Sequence, residues 1–262
     1  MKKKTILFGI ITLVILVTTV SAVQAEDTVD KYALIIGISD YKVISDLSFC
    51  DEDATDWYNY LSPKGYHITL LGDDSSNYPQ WDGIANEINV KNAWATILAT
   101  ADDNDIVAFI SSGHGSQINI GPRRRADRIY VQVLCMWDTS GGEFGEDGLI
   151  YDSELQSMMA PSVSNTFIFL DHCYAGGMNE VMNNANAAKV YLSTTCTDDG
   201  YGYDMSSFAN GAWTYYFLEY ALIGEDATTL EEAFEIAFAV YPFDGGDTPQ
   251  EFDGNPAVVF EL

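Results

Sequence analysis

From residue 31 onward the chain alternates short, almost continuous apolar runs with longer segments of helical periodicity. The runs are YALIIGIS (32–39), HITLLG (67–72), DIVAFISS (105–112), TFIFLD (166–171), KVYLSTT (189–195) and AVVFEL (257–262). Most place apolar residues at successive rather than alternate positions, as strands do when a parallel sheet is covered by helices on both faces. Between them, CDEDATDWYNYLSP (50–63) ends at Pro63, and GIANEINVKNAWATILAT (83–100) keeps a helical period. DSELQSMMAP (152–161) has an acidic first turn, GAWTYYFLEYALIG (211–224) closes on Gly, and TLEEAFEIAFAVY (229–241) opens on a Thr cap. This alternation predicts an α/β fold, a three-layer α/β/α sandwich around a mostly parallel six-stranded sheet. RIYVQVLCMW (128–137) reads as an additional hairpin, followed by a Gly- and acid-rich loop at 140–148.

Residues 1–25 do not join this pattern. Three lysines, an apolar stretch from Ile6 to about Val20, and small residues at Ala22 and Ala25 have the layout of a secretory signal peptide. An uncleaved anchor helix is the alternative, and either reading places residues 26–262, a single domain, outside the cytoplasm. With the three leader lysines set aside, 9 basic residues face 39 acidic ones, a net charge of −30. Such a surface repels nucleic acid and anionic lipid, and favours cationic ligands or divalent metal. The four cysteines (50, 135, 173 and 196) lack any C-x-x-C spacing, which argues against zinc and leans toward free thiols.

In an open parallel sheet, ligands bind beyond the carboxyl ends of the strands. Two such ends carry chemistry: IVAFISS runs into Gly113, His114 and Gly115, and TFIFLD ends on Asp171 before His172 and Cys173. If these strands are neighbours, His114 and Cys173 meet at one edge. A thiol beside an imidazole can ionise and attack, and the imidazolium can protonate a leaving amine. The N–H groups of Gly115 and Cys173 could hold a tetrahedral oxyanion. His172 is a competing base, but adjacent side chains on an extended segment diverge. Taken singly, a His between glycines or a Cys at a strand end is equally a turn or a packing residue.

The pairing of an apolar strand plus SGHG with an apolar strand plus D-x-C-x-x-G resembles the caspase-like cysteine peptidases, which include caspases, metacaspases, legumain, clostripain and gingipains. YALIIGISDY is similar to that group's first strand, FCDEDATDW to the metacaspase G-C-x-N-D-A segment, and GLIYDSEL to G-x-I-x-D-D-E-L. LSTTCTDDG resembles I-S-G-C-Q-D-D-Q, and GAWTYYFLEYAL the G-x-F-T-Y helix, so the likeness runs in order through about residues 31–262. It implies a caspase–haemoglobinase fold with His114 and Cys173 as the catalytic dyad.

The resemblance also implies a pocket for a basic P1 side chain lined by Asp53, Asp171 and Ser112. Paired carboxylates suit a guanidinium or ammonium. Caspases use arginines to hold a P1 Asp, and the arginines of this chain (123, 124, 125 and 128) all lie in one loop, which disfavours that choice. Legumain-like Asn specificity and a non-catalytic module that binds basic peptides or metal remain alternatives. The loop GPRRRADR (121–128) offers Arg123, Arg124 and Arg125 as self-processing or self-inhibitory sites, or else is a plain basic loop. Metacaspases often bind calcium, and Asp127 and Asp152 match those ligands approximately, with Glu143, Glu146 and Asp147 nearby. Ser153 stands where the second Asp of the motif would be.

Overall fold

The computed structural model describes residues 28–74, 76–122, 129–142 and 145–262. The leader at 1–25, the candidate processing residues Arg123, Arg124 and Arg125, and the candidate ligands Asp127 and Glu143 lie outside these.

The first apolar run forms β1 (Lys31–Gly37), whose successive side chains enter opposite layers. Leu34 and Ile36 join one core cluster, and Ala33 and Ile35 join the other. Strands β2 (His67–Gly72), β3 (Gly83–Ile84) and β4 (Ile106–Ser112) follow in the same sheet. A second, antiparallel sheet consists of β5 (Gly115–Asn119), β6 (Tyr130–Cys135) and β7 (Leu149–Tyr151). The main sheet resumes with β8 (Asn165–Asp171) and β9 (Val190–Thr194), a small pair comprises β10 (Asp204–Met205) and β11 (Asn210–Gly211), and β12 (Gln250–Asp253) closes the main sheet. The main order is β12-β9-β8-β4-β1-β2-β3, parallel throughout except for β12.

Helices cover both faces, as the continuous apolar runs require. On one side, α1 (Cys50–Leu61), the short α4 (Ala212–Thr214) with the π-helix Tyr215–Gly224 that continues it, and α5 (Leu230–Val240) bury Trp57, Trp213, Phe217 and Phe234 against Phe167 and Phe169. Trp57 lies 5.0 Å, centroid to centroid, from Phe169. Full burial of such a side chain contributes roughly 1.5–3 kcal/mol. On the other side, α2 (Glu87–Thr100), α3 (Asp152–Met159) and the 3-10 segment Ala175–Asn183 bring Val90, Trp94, Leu155 and Met178 onto Phe109, Ile168 and Leu192.

Three expectations are corrected. The sheet has seven strands rather than six, because Gly83–Ile84 adds β3 beyond β2. The following helix therefore starts only at Glu87, where the Asn86 side chain accepts the Asn89 N–H. The run at 257–262 is not a strand: Phe260 is buried, its carbonyl accepts the Leu230 N–H at 2.9 Å, and it serves the start of α5. The edge of β9 is taken instead by β12, a short strand whose Glu251 and Asp253 give it the acidic character expected of an edge. Finally, the hairpin expected at 128–137 is the central strand of the three-stranded sheet, pairing with β5 and β7.

Candidate active site

Strand β4 pairs with β8 in parallel, with Ser112 opposite Asp171. The two segments therefore leave the sheet side by side, and His114 and Cys173 line one small cleft with Leu47, Ser112, Asp171 and Gly202. Both residues are half-buried. The close approach demands glycine at 115, since a Cβ there would stand 1.9 Å from the Cys173 carbonyl oxygen. Gly115 opposes Leu134 next to the hydrogen-bonded His114–Cys135 position, so ladder alternation turns its N–H away from β6. Immediately after Cys173 the chain turns through Tyr174 at φ 61°, a left-handed conformation uncommon for an aromatic residue. Its N–H is held by the Gly200 carbonyl at 2.8 Å.

His114 Nε2–H donates to the Ser45 carbonyl at 2.9 Å, which leaves Nδ1 as the nitrogen for proton exchange. Cys173 Sγ–H points to the Gly202 carbonyl at 3.7 Å. Burial first of all, and the negative charges of Asp171 and Asp247 besides, push the thiol above its ordinary pKa of 9.0. The resting thiol therefore needs a base to ionise. His172 is not that base. It is fully buried, both ring nitrogens are engaged, by the His114 carbonyl at 3.0 Å and the Ser111 hydroxyl at 2.8 Å, and burial lowers its pKa to about 4.

Beneath the dyad lie the two carboxylates. Asp53, on the first turn of α1, accepts the Ser112 hydroxyl at 2.6 Å and the Gly211 N–H at 2.8 Å. Asp171 accepts the N–H and hydroxyl of Thr214 at 2.9 and 3.0 Å. A Cβ on Gly211 would meet Asp171 Oδ2 at 2.4 Å and Asp53 Oδ2 at 2.7 Å, so the two carboxylates converge on this glycine. Burial raises Asp53 well above the usual carboxylate range, with the charge of Asp171 adding to it, and burial raises Asp171 to about 6. Without a cation the pair resists full ionisation.

Asp152 is buried, and its carboxylate accepts the Ser153 and Gln132 N–H groups at 2.6 and 3.3 Å. The neighbouring Glu180 was not singled out in the sequence; burial, then the charge of and a hydrogen bond with Asp152, raise its pKa. Glu180 Oε2 is buried without a hydrogen-bond partner. Two adjacent carboxylates with one buried, unpartnered oxygen, Glu180 Oε2, suit a hard cation. Glu146 instead belongs to a separate group with Glu87 and Glu154 around Lys91 Nζ, at 3.2, 2.5 and 2.8 Å. Asp147 accepts the Tyr151 hydroxyl at 3.1 Å. All four cysteines are free thiols.

A cysteine and a histidine delivered from neighbouring strand ends of a doubly wound sheet, above two buried carboxylates, define a caspase-like architecture. The chain belongs to the caspase-domain family, whose model matches residues 30–237. Metacaspase-2 of Trypanosoma brucei brucei is 28% identical over 155 residues, which are 57% of this chain and 42% of that protein. Metacaspase-1A of Aspergillus oryzae is 30% identical over 156 residues, 56% of this chain and 34% of its own length. The chain thus spans less than half the length of these relatives. A crystal structure of a Geobacter sulfurreducens protein shares the fold, with a TM-score of 0.64 over 85% of this chain and 92% of that one at 17% identity.

Proposed function

We propose that the protein is a cysteine endopeptidase that cleaves after Arg or Lys, with Cys173 as nucleophile and His114 as proton carrier. The observation that carries this reading is the β4–β8 register, in which His114 and Cys173 each follow two residues after the opposed Ser112–Asp171 pair, with Asp53 bound to Ser112. A P1 cation supplies the charge that the Asp53–Asp171 pair lacks. His114 Nδ1 takes the Cys173 proton, the thiolate adds to the scissile carbonyl, and the Gly115 and Cys173 N–H groups receive the oxyanion. The imidazolium then protonates the leaving amine, and water hydrolyses the thioester. Peptides differing only at P1 test the proposal: Arg and Lys should be turned over, with Asn and Asp at least about 100-fold slower in kcat/KM. Preferred cleavage after Asn or Asp would overturn the P1 assignment.

The same proposal places the enzyme outside the cytoplasm, on the leader-like stretch 1–25, and assigns Arg123, Arg124 and Arg125 as self-processing sites. Calcium is a proposed modulator, held by Asp152 and Glu180 and, on sequence grounds, Asp127. Bound there, it would supply positive charge beside Glu180, whose carboxyl is raised above its ordinary range by burial and then by the charge of Asp152. Calcium is expected to raise the Tm of the wild type and not that of Glu180→Gln, read by thermal unfolding with and without chelator. An equal rise in both would remove Glu180 from the site.

A further inference from the structure

We propose that His172 and Tyr41 are positioning residues that grip the main chain of His114 from two sides and so set where its ring meets the cleft. This rests on the reading of His114 as the proton carrier. Between β4 and β5 the chain passes from one sheet to another within Gly113 and His114, where a regular ladder cannot hold it. Tyr41 supplies the missing rung. The His114 N–H donates to the Tyr41 hydroxyl at 2.7 Å, and that hydroxyl donates to the Cys135 carbonyl at 3.2 Å. A regular antiparallel pair would join these two backbone groups directly.

On the other side, the His114 carbonyl accepts the Cys135 N–H at 2.9 Å and His172 Nδ1–H at 3.0 Å. A carbonyl can only accept, so Nδ1 of His172 carries the proton and Nε2 accepts from the Ser111 hydroxyl at 2.8 Å. A single tautomer of a buried ring thus ties both ends of the Ser111–His114 segment. His172 also directly precedes Cys173. The backbone of the proton carrier is therefore fixed to the segment that carries the nucleophile. There is little slack: a Cβ on Gly113 would lie 2.6 Å from the Tyr41 hydroxyl and 3.2 Å from His172 Cε1. The Tyr41 ring also flanks that of His114, centroids 5.0 Å apart.

The test combines turnover of an Arg-P1 peptide with nitrogen-15 spectra of labelled histidines, which are few because the chain has only 3. His172 should show Nδ1 protonated and Nε2 bare, unchanged from about pH 5.5 to 8. His172→Phe should lower kcat about 100-fold, as a misplacement near 1 Å does, with KM within about twofold. Tyr41→Phe, which keeps the ring and loses the bridging hydroxyl, should lose about tenfold in kcat. His172→Asn retains an amide N–H near the Nδ1 position and should recover most of the activity. Should His172→Phe fail to fold, His172→Asn and Tyr41→Phe carry the comparison. A His172 protonated at Nε2 overturns the proposal. So does His172→Phe at wild-type kcat, His172→Asn no better than a folded His172→Phe, or Tyr41→Phe at wild-type kcat. A wild type that cleaves no peptide overturns the peptidase reading instead, while the spectra still report on the grip.

Discussion

Cys173→Ala and His114→Ala are each expected to lower kcat on an Arg-P1 peptide by at least about 10⁴-fold, and the double variant to be no worse than the more damaged single one. Residues that act as one unit fail together, because removing either leaves the other without its partner reaction. The geometry makes this sharper than usual. The thiol is held above its ordinary pKa by burial and by the charges of Asp171 and Asp247, so little thiolate exists without His114. On the proposed self-processing at 121–128, the wild type should yield two fragments on a denaturing gel and Cys173→Ala should remain a single chain. Turnover by Cys173→Ala at a tenth of the wild-type rate would remove Cys173 as the nucleophile.

Asp171→Asn is expected to act in opposite directions on function and stability. Removing one partner from a buried charge pair costs about 3–5 kcal/mol, so kcat/KM for Arg-P1 peptides should fall roughly 150- to 5,000-fold. In the substrate-free protein the folded pKa of Asp171 is about 6, against an ordinary 3.8. A folded pKa raised above the unfolded value means that the native state holds the extra proton. The stabilisation is complete below 3.8 and is lost as pH rises through about 6. Asp171→Asn removes that loss, so its Tm should exceed that of the wild type at pH 8 and approach it at pH 4. The same titration should raise the wild-type KM for Arg-P1 as pH falls below about 6, because the protonated pair offers a cation less charge. An Asp171→Asn variant that keeps wild-type KM for arginine would exclude the carboxylate from the P1 pocket.

Much of the site was legible because its chemistry sits at the ends of apolar runs. A continuous stretch such as TFIFLD has to be buried, and polar residues directly after it have to lie at the sheet edge. The carboxylates were legible only through the family resemblance, since Asp53 lies on a helix and Asp171 on a strand, and nothing local links them. Composition misassigned the final strand. AVVFEL is apolar enough for a core strand, but only the partner edge decides which segment pairs with β9. The grip on His114 was invisible for a related reason. Tyr41 and His172 are 73 and 58 residues from His114, and no periodicity marks a tyrosine or a histidine that spends its polar atoms on a distant backbone. Glu180 likewise declared itself only when folding set it against Asp152.

The sheet order divides the site residues between two successive stretches of the chain. A chain severed between β5 and β6 leaves β1 to β5 with His114 and Asp53 on one fragment, and β6 to β12 with Cys173 and Asp171 on the other. In the main sheet the fragments meet along one seam, β4 against β8, where seven residue pairs from Ile106–Asn165 to Ser112–Asp171 are in register. Neither fragment carries a complete dyad or a complete pair of carboxylates. Reassociation would have to re-form that seam, the β5–β6 ladder and the Asp53–Gly211 bond to bring all four residues together.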